Sequence, residues 1–172
     1  MKFKNQLIKF ATFKNTLILF ILTLFINLYF ARYFGALEHG VPDTHLFYSA
    51  NTFYDLLDKY NQEELEAYSR GIIMLDFLYP IAYSLFLAFF TFRLSQKAVL
   101  SLLPFGILIF DVLENISVLT LIRLLPNRYD FFASLAGGFT LVKWIFAATS
   151  IGIALYFSIR YLIQSRYLKN EG

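Results

Sequence analysis

The 172-residue chain has no cysteine, which excludes a disulfide framework, thiolate chemistry and any cysteine-based metal site. It has only two histidines, His39 and His45, and both lie in one polar stretch. His39, Asp43 and His45 carry donor atoms that suit a metal, but no fourth ligand accompanies them. The expectation is a solvated loop, with no metal and no cofactor. No phosphate-cradling glycine loop, Ser-His-Asp set, HExxH or haem motif occurs. There is no internal repeat and no low-complexity tract. Charge is scarce too, at 16% of residues. The net charge of +3 is no nucleic-acid signal, because the basic residues collect near the ends of apolar runs.

The remainder is strongly apolar: 58% hydrophobic and 20% aromatic, with a mean hydropathy of +0.58. Such a chain points to an all-α, polytopic membrane protein in a single domain, 1–172. Four apolar runs are long enough to span a bilayer, at about 16–34, 71–92, 98–124 and 131–159. Pro104 interrupts the third near its start, and Pro126-Asn127-Arg128 is a turn signal after it. Lys2, Lys4, Lys9 and Lys14 precede the first run, as they would in a signal peptide. That run is span-length and no small-residue cleavage site follows it, so it reads as a retained first helix.

Loop charges set an expected orientation. Lys2, Lys4, Lys9, Lys14, Arg93, Lys97, Arg160, Arg166 and Lys169 share one side, whereas the acidic loop 35–70 lies on the other. The positive-inside rule then places both termini in the cytoplasm, with Arg123 and Arg128 as mild exceptions. In loop 35–70, Phe53, Leu56, Leu57 and Tyr60 recur at helical spacing, and Asn61 followed by Glu64 has the form of an N-cap. The spacing predicts either a short helical extracytoplasmic cap over the bundle mouth or an interfacial helix in the headgroups. Gly137 and Gly138, with Ala133, Ser134, Ala148 and Gly152, have the small-residue spacing that lets helices approach closely.

The chemistry-bearing residues lie inside the spans. A charge at the bilayer centre costs about 2.5–3.5 kcal/mol on insertion scales, so Asp76, Asp111, Glu114 and Lys143 must face one another, a ligand or water. At the helical rise Asn27 and Asp76 sit roughly 8–10 Å below the outer ends of their spans, and Glu114, Asn115 and Lys143 roughly 14–18 Å down. The depths converge. Asp76, Tyr79, Pro80 and Tyr83 follow i, i+3, i+4 and i+7, and Asp111, Glu114 and Asn115 repeat the first three of those positions. Thr140, Lys143 and Trp144 are assigned one face of the fourth span. Pro80 has no N–H, so the carbonyl of Asp76 loses its helical donor. The candidate ligand-binding set is therefore Asn27, Asp76, Tyr79, Tyr83, Asp111, Glu114, Asn115, Lys143 and Trp144, with Asp76, Glu114, Asp111 and Lys143 as candidate acid–base groups.

Three acids against one lysine leave a surplus of negative charge. It can be removed by protonation, by a bound cation or cationic ligand, or by Arg32 or Arg70 reaching in from the rim. A purely structural Lys143–Glu114 or Lys143–Asp111 pair is the plainer alternative. These options keep several functions open: binding of a lipid-like or cationic amphiphilic ligand, acid–base catalysis on a lipid or isoprenoid, a proton or cation pathway, or a structural or assembly subunit. Membrane lipids are the expected partners.

The stretch Leu75-Asp-Phe-Leu-Tyr-Pro-Ile-Ala-Tyr83, with Asp111-Val-Leu-Glu-Asn115, Lys143-Trp144 and the segment from Pro42 to Tyr48, resembles small four-helix bacterial integral membrane proteins of uncharacterised function. That resemblance implies the cytoplasmic (inner) membrane. The acid ahead of an aromatic-Pro-x-x-Tyr segment in span two, together with the long first loop, is also similar to the emopamil-binding and sigma-2 receptor (EXPERA) superfamily. Its members include sterol isomerases with a buried acid/base pair, whose intramembrane histidine has no counterpart here, and binders of sterols or cationic amphiphiles.

Overall fold

The computed structural model describes residues 2–170, without the side chains of Asp43 and of 166–170. Among these residues the chain forms helices and no strand. In order they are α1 (Lys2–Phe10), α2 (Phe13–Phe34), a 3-10 turn (Pro42–Thr44), α3 (Ala50–Leu57), α4 (Gln62–Gly71), a π turn (Ile72–Asp76), α5 (Leu78–Ser95), a second 3-10 turn (Leu100–Leu102), α6 (Leu103–Arg123) and α7 (Asp130–Asn170). Four segments are long and apolar enough to cross a membrane: Phe13–Phe34, Gln62–Ser95, Leu100–Arg123 and Asp130–Ser165. The molecule is a helical bundle of multi-pass type.

The expected spans are recovered with shifted ends. The first stops at Phe34, as the apolar run does. The second continues backward through the π turn into α4, giving 34 residues, or about 51 Å at the helical rise. This is longer than the roughly 30 Å hydrocarbon thickness of a bilayer. Pro104 does not interrupt the third span. It occupies the first turn of α6, where a missing N–H costs nothing. The fourth helix runs on to Asn170, because charged residues end an apolar run without ending a helix. Helix α1 precedes the first expected span. It seats Leu7 and Ala11 against Phe92, while Arg93 Nη1 donates to the Ala11 carbonyl at 3.2 Å.

The first loop forms a cap. Ser49 Oγ accepts from Thr52 N at 3.2 Å to start α3, and Asn61 Oδ1 accepts from Glu64 N at 2.8 Å to start α4. Tyr48, Phe53 and Tyr54 are fully buried in a core shared with Phe34, Val118, Leu121, Ala133 and Ala136. Burial of large aromatics is worth about 1.5–3 kcal/mol of transfer energy each, and here it seats the loop on the bundle. The cap is tied to α7 as well. Ala50 N donates to Ser134 Oγ at 3.3 Å, and Tyr129 N donates to Tyr54 Oη at 2.8 Å. The small residues of α7 thus receive the cap backbone: a Cβ on Gly137 would stand 1.9 Å from the Tyr48 carbonyl oxygen.

Gly137 and Gly138 make a controlled pair, because a Cβ on Gly138 meets nothing within 4 Å. Gly138→Ala should be neutral or stabilising by up to about 1 kcal/mol, the usual helical gain. Gly137→Ala should push the cap off α7, lowering the melting temperature in detergent and exposing loop 35–70 to protease. Equal behaviour of the two variants would contradict this packing.

Candidate functional site

Helix α6 carries Asp111, Glu114 and Asn115 on one face, and α7 turns Thr140 and Lys143 toward it. Lys143 Nζ lies 2.7 Å from Asp111 Oδ1 and 2.7 Å from Glu114 Oε2. One ammonium therefore bridges two carboxylates. Glu114 is further held through its other oxygen, which accepts from Thr140 Oγ1 at 2.5 Å and, at a longer 3.3 Å, from the Tyr48 hydroxyl. Exposure is slight: 4% for Asp111, 2% for Glu114 and 7% for Lys143. Removing these charges from water costs several kcal/mol each, offset only where geometry is close and the remaining acceptors are filled. For Glu114 the ammonium on one oxygen and the two hydroxyls on the other supply both.

A second contact closes the backbone gap left by proline. Residue 80 cannot donate to the Asp76 carbonyl, and Asn115 Nδ2 donates to that oxygen instead at 3.0 Å. One turn earlier the chain is under-wound to π geometry, with Phe77 N donating to Ile72 O at 3.2 Å. Helix α5 is thereby sewn to α6 by a side-chain amide where its own ladder is broken. Asp76 itself is 6% exposed.

A polar ladder extends from the cluster to the flank of the bundle. Asn27, exposed on α2, donates through Nδ2 to the Tyr79 hydroxyl at 2.8 Å. The rings of Tyr79 and Tyr83 meet edge to face at 4.8 Å, and Phe30 lies 5.4 Å from Tyr79. Tyr83 is within electrostatic reach of Asp111, Lys143 and Asp76. The row thus runs from an exposed amide through two tyrosine rings toward the buried charges.

Not all expected residues join the site. Trp144 is 42% exposed and points away from the cluster. It lies one position from Lys143, and adjacent residues do not share a helical face. Thr140, three positions before Lys143, does share it. Arg32 and Arg70 do not reach the acids. They line an open cavity of about 450 Å³ between α2 and α4, and neither forms an ion pair among the described residues. His39 Nδ1 instead contacts Glu64 Oε2 at 2.9 Å, while the side chain of Asp43 lies outside the described residues. Tyr48 is an addition, and Thr140, expected on the face of Lys143, joins the site as a partner of Glu114. Thr140 was legible from its i−3 spacing to Lys143. Tyr48 reaches Glu114 only because the first loop folds back over α7, and no local spacing encodes that.

Two substitution sets follow. Lys143→Met leaves two acids without their shared cation and should cost about 3–5 kcal/mol, the usual loss on breaking a buried pair. Adding Asp111→Asn and Glu114→Gln should restore most of it, as read by thermal unfolding in detergent. Asn115→Leu should cost about 1–3 kcal/mol, the penalty of an orphaned buried acceptor. That loss should shrink when Pro80→Ala returns an N–H to the Asp76 carbonyl. Strict additivity of the two changes would contradict the contact.

Comparison with known proteins finds no matching family model, no matching curated protein and no matching solved structure.

Proposed function

We propose that this protein binds a lipid-like or cationic amphiphilic small molecule inside the membrane, with the ligand's polar head at the Asp76–Asp111–Glu114 cluster. The observation that carries this reading is the shared ammonium. Lys143 balances one of the two α6 carboxylates it touches, and Asp76 adds a third acid nearby. A ligand cation would take up the surplus negative charge. The Asn27–Tyr79–Tyr83 ladder offers a lateral route for a polar head from the exposed flank of α2. The aromatic rings around it suit an acyl chain or a flat apolar body.

The basic residues of the chain support an orientation with both termini in the cytoplasm and the cluster in the outer half of the bilayer, in a bacterial cytoplasmic membrane. The four long helices and the capped first loop also fit kinship with the four-helix families named above, EXPERA included.

A second reading, an acid–base enzyme acting on a lipid or isoprenoid, is favoured by one feature. Glu114 is in contact with two hydroxyls and an ammonium, a set able to hold or release a proton. In that case Asp76 or Glu114 would be the proton donor, with Asp111 and Lys143 tuning it.

A matched pair of probes tests the binding reading: octadecylamine against octadecanol, identical except for the charged head. The amine should raise the melting temperature of the wild-type protein by several degrees, at roughly 2–4 °C per kcal/mol for a chain of this size. The alcohol should do less. Asp111→Asn and Asn27→Leu should each reduce the amine's effect. Equal shifts for amine and alcohol, or for wild type and both variants, would overturn it. The enzyme reading predicts a missing lipid product in a deletion strain, and an unchanged lipidome removes it.

A further inference from the structure

We propose that the groove between the end of α2 and α4 is a binding site for the phosphate of an anionic phospholipid. This site is separate from the acidic cluster. Arg32 stands in the last turn of α2 and Arg70 in the last turn of α4, and both line the same open cavity of about 450 Å³. Both side chains are exposed, and neither guanidinium forms an ion pair among the described residues. Two like charges facing one cleft repel, so the arrangement is stabilised by an anion placed between them. Guanidinium forks suit an oxyanion with several acceptors, which a phosphate provides.

The surroundings favour a lipid as the bearer of that phosphate. The floor is shaped by Ala36 and Ala67, small residues that leave room for a headgroup. Tyr33 is locked in place by donating its hydroxyl to the Ala67 carbonyl at 2.9 Å. Tyr29 forms a wall and is largely exposed, one turn before Arg32 on an apolar helix. Arginine and tyrosine at the end of an apolar span occupy the depth where lipid phosphates lie. The exposed apolar residues Leu22, Phe25 and Leu28 continue down α2 from this level, and acyl chains would lie along them.

The test uses the full chain purified in a neutral detergent, titrated with phosphatidylglycerol or phosphatidylcholine and read by native mass spectrometry. Wild type should retain phosphatidylglycerol roughly tenfold better than phosphatidylcholine. R32Q/R70Q should lose that preference, while K59Q/R123Q, which removes two cations outside the groove, should keep it. All three proteins should elute alike on size exclusion, because the four side chains are exposed and make no ion pair among the described residues. Equal phosphatidylglycerol preference in wild type and R32Q/R70Q would overturn the proposal, as would equal loss in K59Q/R123Q. Millimolar inorganic phosphate or glycerol 3-phosphate should not displace the lipid. Full displacement by either would assign the groove to a soluble phosphate compound and overturn the lipid.

Discussion

The contact between Lys143 and the paired carboxylates of α6 governs how this bundle closes. Helices α6 and α7 are nearly featureless in their hydrophobic patterning, so apolar packing alone would leave their rotation and register poorly defined. An ammonium fixed 2.7 Å from both Asp111 and Glu114 defines both. It does so where a misplaced charge has no water to turn to, which makes wrong registers costly. Glu114 then carries the constraint outward, since Thr140 and Tyr48 meet on its second oxygen. Tyr48 belongs to the cap. A single buried acid thus links two spans and the first loop.

The second constraint is the break in the α5 ladder. Pro80 removes a donor, the π turn absorbs an extra residue, and Asn115 replaces the missing bond from the neighbouring helix. Irregular buried backbone survives only when protein or water re-satisfies it, and here the re-satisfying group sits next to Glu114 in sequence. The same turn of α6 that completes the ion pair therefore completes the backbone of α5. Four elements converge on a few residues, and such convergence is economical for fold specificity and for building a site.

Much of this was legible in the residues themselves. Apolar run length located the four spans, and the spacing of Asp111, Glu114 and Asn115 located one face of α6. The absent N–H of Pro80 announced an orphan carbonyl at Asp76, and depth arithmetic brought Lys143 to the acids. What escaped had physical reasons. Helix α1 is short and lysine-rich, so its Phe3–Leu7–Ala11 spacing is masked by charge, although Leu7 is buried. The end of α7 escaped because hydropathy marks where apolar residues stop, not where hydrogen-bonded turns stop. Trp144 stands four positions from Thr140 yet is 42% exposed, because it is adjacent to Lys143 and adjacent residues do not share a helical face. Tyr48 depends on a loop crossing α7 at Gly137, a tertiary contact with no periodic signature. Arg32 and Arg70 share a groove only because α4 packs beside the end of α2, a tertiary contact with no local spacing to encode it.

Solid-state NMR on the protein in lipid bilayers, with labelled lysine side-chain nitrogens and labelled carboxyl carbons, tests the shared ion pair most directly. Dipolar recoupling should connect the Lys143 nitrogen with comparable strength to the carboxyl carbons of both Asp111 and Glu114. Contact with one of them alone, or with neither, would mean that the ammonium does not bridge the two acids, and the electrostatic basis of the site would fall with it.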